Sequence, residues 1–168
     1  MEVENVYNRY IYLNKIKKIC IFLFPLFFGF TLLQTVTNTS MPLAVARGHS
    51  MQPLVNEGDI LVFQGVSPEE LRVGDIIFFE VPLEMRDILP ERITHRIIEV
   101  NQDSNGIFFR TQGDNAPPDT YEVRSDSVIG KNIAIIPYLG IIFIYLQTPI
   151  GIGVVAALLL LNGFRRSD

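Results

Sequence analysis

The sequence predicts a mainly β protein, a small antiparallel or barrel-like sheet domain held between two apolar helical segments. Three observations carry that expectation. Stretches free of charge lie toward both ends of the 168 residues, at 19–46 and 132–164. Between about 37 and 136, short runs rich in Ile, Val and Phe alternate with Gly, Asp, Asn and Pro, which is the pattern of strands and turns. Within that middle part only Ser67-Pro68-Glu69-Glu70-Leu71 reads as helical, a single turn with a capping serine, proline in the first position and acids at the positive end of the dipole.

Taken in order, residues 19–33 are almost wholly apolar, and with the uncharged 34–37 they approach the roughly 20 residues a helix needs to cross hydrocarbon. Arg9, Lys15, Lys17 and Lys18 precede this run and the next cation is Arg47. The positive-inside rule therefore predicts a cytoplasmic segment 1–18, a transmembrane helix 19–37 and an exported domain 38–137. Ala44-Val45-Ala46 has the small-x-small form of a cleavage site, so a cleaved secretory signal competes with a retained anchor. The site lies roughly a dozen residues beyond Leu33, far for a peptidase at the membrane surface, which favours the anchor.

In the exported part, strands are expected at 60–64, 76–81, 94–100, 107–112 and 128–136. Asp103-Ser104-Asn105-Gly106 suits a hairpin turn, because Asn-Gly tolerates positive φ. Residues 82–92, with Glu84, Arg86, Asp87 and Glu91, read as an exposed loop. Residues 138–161 form a second apolar run closed by Arg165 and Arg166, which predicts a second crossing and a cytoplasmic tail 162–168. Gln147-Thr148-Pro149 interrupts the run, so a kinked span and an interfacial helix both fit.

Charge and composition exclude several function classes. Between 37 and 136 eight basic residues face fifteen acidic ones, a net of −7, which argues against a nucleic-acid partner. The single cysteine, Cys20, lies in the first apolar run, so no intramolecular disulfide can form. No His, Cys or carboxylate cluster has metal-ligand spacing and no glycine-rich phosphate loop is present, so neither a metal nor another cofactor is expected.

The chemistry centres on Arg47-Gly48-His49-Ser50-Met51-Gln52-Pro53. Glycine two residues before Ser50 and proline three after it impose a sharp turn that can present a hydroxyl, although the same residues also make ordinary surface turns. A serine at its own pKa is a poor nucleophile and needs a base within hydrogen-bond reach. The exported part offers His49, His95 and Lys131. His49 is adjacent to Ser50, and neighbouring side chains in extended backbone point apart. His95 opens a strand and can reach the face that carries Ser50; alone, it reads equally as a strand histidine satisfied by a backbone carbonyl. Residues 111–120, with Gly113, Asn115, Pro117 and Pro118, are expected to form an irregular loop holding the carboxylate that orients the ring. Asp114 and Asp119 both qualify, and both are also ordinary turn-formers. Asp59 and Asp75, each after a glycine at a strand start, read as turn residues.

With Ser50-Met51-Gln52-Pro53, Gly58-Asp59-Ile60, Arg72-Val73-Gly74-Asp75-Ile76-Ile77, His95-Arg96 and Gly113-Asp114-Asn115 in this order, the chain resembles type I signal peptidase, in its archaeal and endoplasmic-reticulum branch. The match covers about 43–139. The resemblance implies a β-rich extracytoplasmic serine endopeptidase in the cell membrane, or in the endoplasmic-reticulum membrane of a eukaryote, acting on preproteins with signal peptides. It leaves open whether accessory subunits are needed. It maps the nucleophile to Ser50 and the base to His95, where the bacterial branch has lysine. Two departures stand out. The orienting aspartate of that branch falls one residue beyond Asp119, which leaves Asp119 and Asp114 as alternatives with Asp119 preferred. Where many relatives carry an oxyanion-binding serine this chain has Gly48. A neutral histidine base predicts activity that falls with pH through the ordinary imidazole range of about 6 to 7. The competing readings are a non-catalytic membrane-anchored β domain that binds or assembles partners, and a self-cleaving protease of similar fold.

Overall fold

The structure, a computed structural model, describes residues 2–104 and 106–164. The expected turn at Asn105 and the closing charges Arg165 and Arg166 lie outside the described residues. Two compact units result, Met1–Asn38 and Thr39–Asp168.

The first unit is helix α1, Glu2–Thr37. Its stretch Tyr12–Thr37 is long and apolar enough to cross a membrane. At 1.5 Å per residue its 26 residues reach about 39 Å, against roughly 30 Å of hydrocarbon. Its threonines do not leave hydroxyls bare: Thr31, Thr35 and Thr37 donate to the carbonyls of Phe27, Thr31 and Leu33, one turn back. That internal satisfaction is what a helix in an apolar medium requires.

The second unit is built on a seven-stranded antiparallel sheet. Its strands are β1 (Leu43–Val45), β2 (Ile60–Gln64), β3 (Ile76–Glu80), β4 (Arg92–Asp103), β5 (Gly106–Gln112), β6 (Pro118–Arg124) and β7 (Val128–Ile136). They lie in the order β1-β2-β7-β3-β4-β5-β6, with register shifts in four of the pairings that bend the sheet. Strand β3 is buried along nearly its whole length because alternate residues feed two separate cores. Ile77 and Phe79 pack with Leu71, Val81, Ile97, Phe109 and Val123. Ile76 and Phe78 pack with Met51, Val55, Leu61 and Phe63.

The five expected strands are present within a few residues. Two more, β1 and β6, fall outside those five runs, and they matter most to the site. The three residues of β1 are too few to show a period, and β6, with Pro118, Asp119, Thr120 and Glu122, is too polar to read as a buried strand. The loop expected over 111–120 is correspondingly shorter, and Asp119 sits on a strand. At Ser67 the turn forms as a 3₁₀ helix, Pro68–Glu70, but the serine side chain makes no cap; its carbonyl accepts from the Glu70 N–H. Residues 82–92 include a second 3₁₀ turn, Leu83–Met85, and lean Met85 and Leu89 onto the first core.

The second apolar run is two helices, α2 (Ile141–Leu146) and α3 (Pro149–Phe164), parted at Gln147-Thr148. Buried Asp59 fastens the start of this run: its carboxylate accepts from the N–H groups of Asn56 and Tyr138 at 2.8 and 3.0 Å. Gly140 donates to the Gly58 carbonyl at 2.8 Å, and a β-carbon on Gly140 would lie 2.6 Å from a Val45 methyl. The first turn of α2 is thereby locked to β1 and to the turn before β2.

Candidate active site

Gly48 takes φ +85°, a conformation glycine adopts without strain, and the chain reverses there to present Ser50. Met51 and Val55 are 5% and 3% exposed and sink into the second core, anchoring the turn on its far side. From the opposite side the Asn115 N–H donates to the Ser50 carbonyl at 2.7 Å. Gly113 lies against the same carbonyl, so closely that a β-carbon there would stand 2.6 Å from the oxygen and 3.0 Å from His95 Nε2.

Three neighbouring strands bring the polar groups to one end of the first core. Ile93, His95 and Ile97 alternate onto the inner face of β4, Phe109 and Thr111 onto that of β5, and Asp119, Tyr121 and Val123 onto that of β6. Asp119 Oδ2 lies 2.8 Å from His95 Nδ1 and accepts the Thr111 hydroxyl at 2.6 Å. A carboxylate can only accept, so His95 Nδ1 carries the proton and Nε2 is left with a lone pair. That lone pair faces the Ser50 hydroxyl, with Nε2 to Oγ 3.2 Å. The His95 and Asp119 side chains are 8% and 11% exposed, so the ring is held in a mostly water-excluded setting.

Asp114 is placed elsewhere. Arg96 points to the opposite face of β4 from His95 and takes Asp114 in a two-point grip, Nε to Oδ1 2.8 Å and Nη2 to Oδ2 2.7 Å. Its remaining Nη1 donates to the Gly74 carbonyl at 2.8 Å. The bond to Asp114, with its charge, raises the Arg96 pKa against the opposing effect of burial. Asp114 thus braces the 113–116 loop against β4, and that loop holds Ser50. Lys131 pairs with Asp75 at 2.8 Å and makes no bond to Ser50. His49 is exposed, and its carbonyl accepts weakly from the Asn115 amide at 3.4 Å.

The arrangement is a hydroxyl, an imidazole and a carboxylate in line, a geometry that supports nucleophilic attack on a carbonyl with proton relay through the ring. The site opens on a groove of about 330 Å³ whose lining includes Ala44, Ala46, Met51, Leu61, Phe78 and Ile93. Among the described residues no His, Cys, Asp or Glu group is arranged to hold a metal ion. From sequence, Thr111 had no part of its own, and Arg96 and Gly113 stood only as members of a motif and of the expected loop. Their neighbours in the pairing, invisible before the register is known, are what make them part of the site.

No family model matches the chain. Curated relatives do. The signal peptidase complex catalytic subunit SEC11C of Homo sapiens is 32% identical over 121 residues, 67% of this chain and 60% of that protein. The chain is a homologue of signal peptidase catalytic subunits. The sec11 subunit of Schizosaccharomyces pombe is 28% identical over 155 residues, with 80% of this chain and 82% of that one covered. The corresponding SEC11 of Zygosaccharomyces rouxii is 28% identical over 145 residues. The chain spans about 60% of the length of the mammalian signal peptidase subunits it matches. In this signal peptidase homologue, the ordered motifs of the sequence lie on the turn that carries Ser50, on the turns leading into β2 and β3, on β4, and on the loop after β5.

Proposed function

We propose that this chain is a membrane-anchored serine endopeptidase that removes N-terminal signal peptides from exported preproteins. The observation that carries the reading is the aligned set Ser50, His95 and Asp119, with Nε2 3.2 Å from the hydroxyl and Nδ1 2.8 Å from the carboxylate. Ser50 Oγ attacks the scissile carbonyl while His95 Nε2 takes its proton. Asp119 stabilises the imidazolium and holds the tautomer. The ring then protonates the leaving amine, and a water activated by the same nitrogen hydrolyses the ester to release Ser50. The Ser50 N–H serves as one oxyanion donor, since Gly48 offers no side chain.

Helix α1 anchors the chain, with residues 1–18 cytoplasmic and the sheet domain on the other side, where a signal peptide's cleavage site emerges. The α2–α3 segment returns toward the membrane. Ala44 and Val45 lie in β1 and Ala46 follows it, with both alanines against the second core, which favours a retained anchor over self-cleavage because removal would strip a strand from the sheet. The relatives are named as subunits of a complex, so accessory subunits are natural partners for this chain too. The deciding experiment is cleavage of a preprotein by the purified chain in lipid, wild type against Ser50→Ala. Release of mature protein by wild type alone supports the peptidase reading. No cleavage by either folded protein, with or without accessory subunits, favours the non-catalytic binding module.

A further inference from the structure

The groove beside Ser50 carries an unexpected charge. The domain is strongly acidic, yet the described residues lining the groove include no carboxylate, and its formal charges are the two arginines Arg47 and Arg92. Arg92 is already matched, by Glu91 at 3.1 Å and Glu80 at 3.6 Å. Arg47 is not. Among the described residues its guanidinium bonds to the neutral carboxamide oxygen of Gln147, in the break between α2 and α3, which aims the group without neutralising it.

The geometry of β1 says which part of a substrate meets that charge. Strand β1 is a sheet edge, paired with β2 on one side. An extended peptide can add to its other side and continue both faces of the sheet. Along β1, Ala44 and Ala46 turn to the second core, while Val45 turns to Gly140 at the start of α2 and Arg47 follows it to Gln147. A substrate residue whose carbonyl reaches Ser50 places its side chain over the small-residue face of the groove. The residue just before it points to the other face, the one that carries Arg47.

We infer that Arg47 is a specificity-determining residue that recognises a carboxylate on the substrate residue immediately preceding the one whose carbonyl is attacked. The inference rests on the peptidase reading above and names a preference within it. Gln147 acts as a positioning residue that keeps the guanidinium extended toward the peptide.

The test uses the full chain in zwitterionic phosphatidylcholine vesicles, which present no net anionic headgroup to Arg47. Three preproteins differ only at that position, carrying Glu, Gln or Lys. An exposed ion pair changes an equilibrium by roughly 2- to 5-fold, so attraction to Glu plus repulsion of Lys gives a kcat/KM ratio of about 5- to 20-fold. The expected order is Glu over Gln over Lys, the ratio shrinks as salt rises, and Arg47→Glu inverts it. A Glu-to-Lys ratio unchanged by Arg47→Glu, or an acid preference at the residue on either side instead, overturns the inference. If wild type cuts none of the three, the peptidase reading fails on its own account. Binding of the labelled Glu and Lys peptides to the Ser50→Ala chain then decides Arg47: a Glu preference inverted by Arg47→Glu sustains it, and equal binding overturns it.

Discussion

Gly113→Ala is the sharpest perturbation of the site, because one methyl group crowds both Ser50 and His95, the proposed nucleophile and base. The new β-carbon would stand 2.6 Å from the Ser50 carbonyl oxygen and 3.0 Å from both Ser50 Cβ and His95 Nε2. Comfortable contact begins near 3.5 Å, so the shortfall is about 1 Å at the carbonyl. The carbonyl cannot simply retreat, since the Asn115 N–H holds it at 2.7 Å. Relief therefore moves Ser50 away from His95 by something approaching 1 Å, a misplacement that lowers kcat/KM about 10²-fold. Overpacking of this kind costs about 1–3 kcal/mol, so a lower Tm accompanies a fold that survives. The assay is kcat/KM for preprotein cleavage in lipid, with Tm measured on the same preparations. Gly153→Ala, where no atom lies within 4 Å of the added methyl, is the control and keeps full activity. Wild-type kcat/KM in Gly113→Ala would refute the claim that Ser50 and His95 close around this glycine.

Other expectations test the remaining roles. Asp119→Asn keeps the shape but offers an amide to His95 Nδ1, favouring the wrong tautomer, and kcat falls on the order of 10³- to 10⁴-fold; Asp114→Asn weakens only the bracing by Arg96 and costs far less, so equal losses would undo the distinction between the two aspartates. Thr111→Val deletes the hydroxyl that donates to Asp119 at 2.6 Å with little change of volume, and about a tenfold drop in kcat/KM is expected. The Tyr121 hydroxyl is pushed up to about 12, first by burial and then by the charge of Asp119. Because the folded state holds this proton longer than the unfolded chain, the stability it contributes is intact below about pH 10 and is lost as pH rises toward 12. Ultraviolet titration should show one late tyrosine whose midpoint falls in Asp119→Asn, and an unmoved midpoint would separate the two groups.

Much of this protein is written locally. The uncharged run in α1, with cations before it, is a matter of composition and length, so its capacity to span a membrane is legible without a structure. The strands at 60–64 and 128–136 follow from runs of β-branched residues between turn-formers. Asp59 and Asp75 read as turn residues, and each accepts a backbone N–H three residues before it, at Asn56 and Arg72. Ser50 could be singled out by the sharp turn that Gly48 and Pro53 impose, and His95 because so few bases were available. The ordered motifs then tied them to a family that the relatives bear out.

Which of Asp114 and Asp119 lies beside His95 is visible only in the tertiary structure. The two lie in one polar stretch, and nothing local distinguishes them. Strand β4 turns His95 and Arg96 to opposite faces, and the pairing of β5 with β6 brings Asp119 up beside Thr111 on the inner face. Arg96 claims the other aspartate. The same holds for Gly113, whose closeness to Ser50 and His95 depends on contacts across 63 and 18 residues of chain, and for Arg47, whose partner Gln147 is a hundred residues away. Periodicity and turn chemistry act over a few residues and can be read along the chain. Strand register and the meeting of distant loops arise only from packing the whole domain, and the arrangement of the site was decided there.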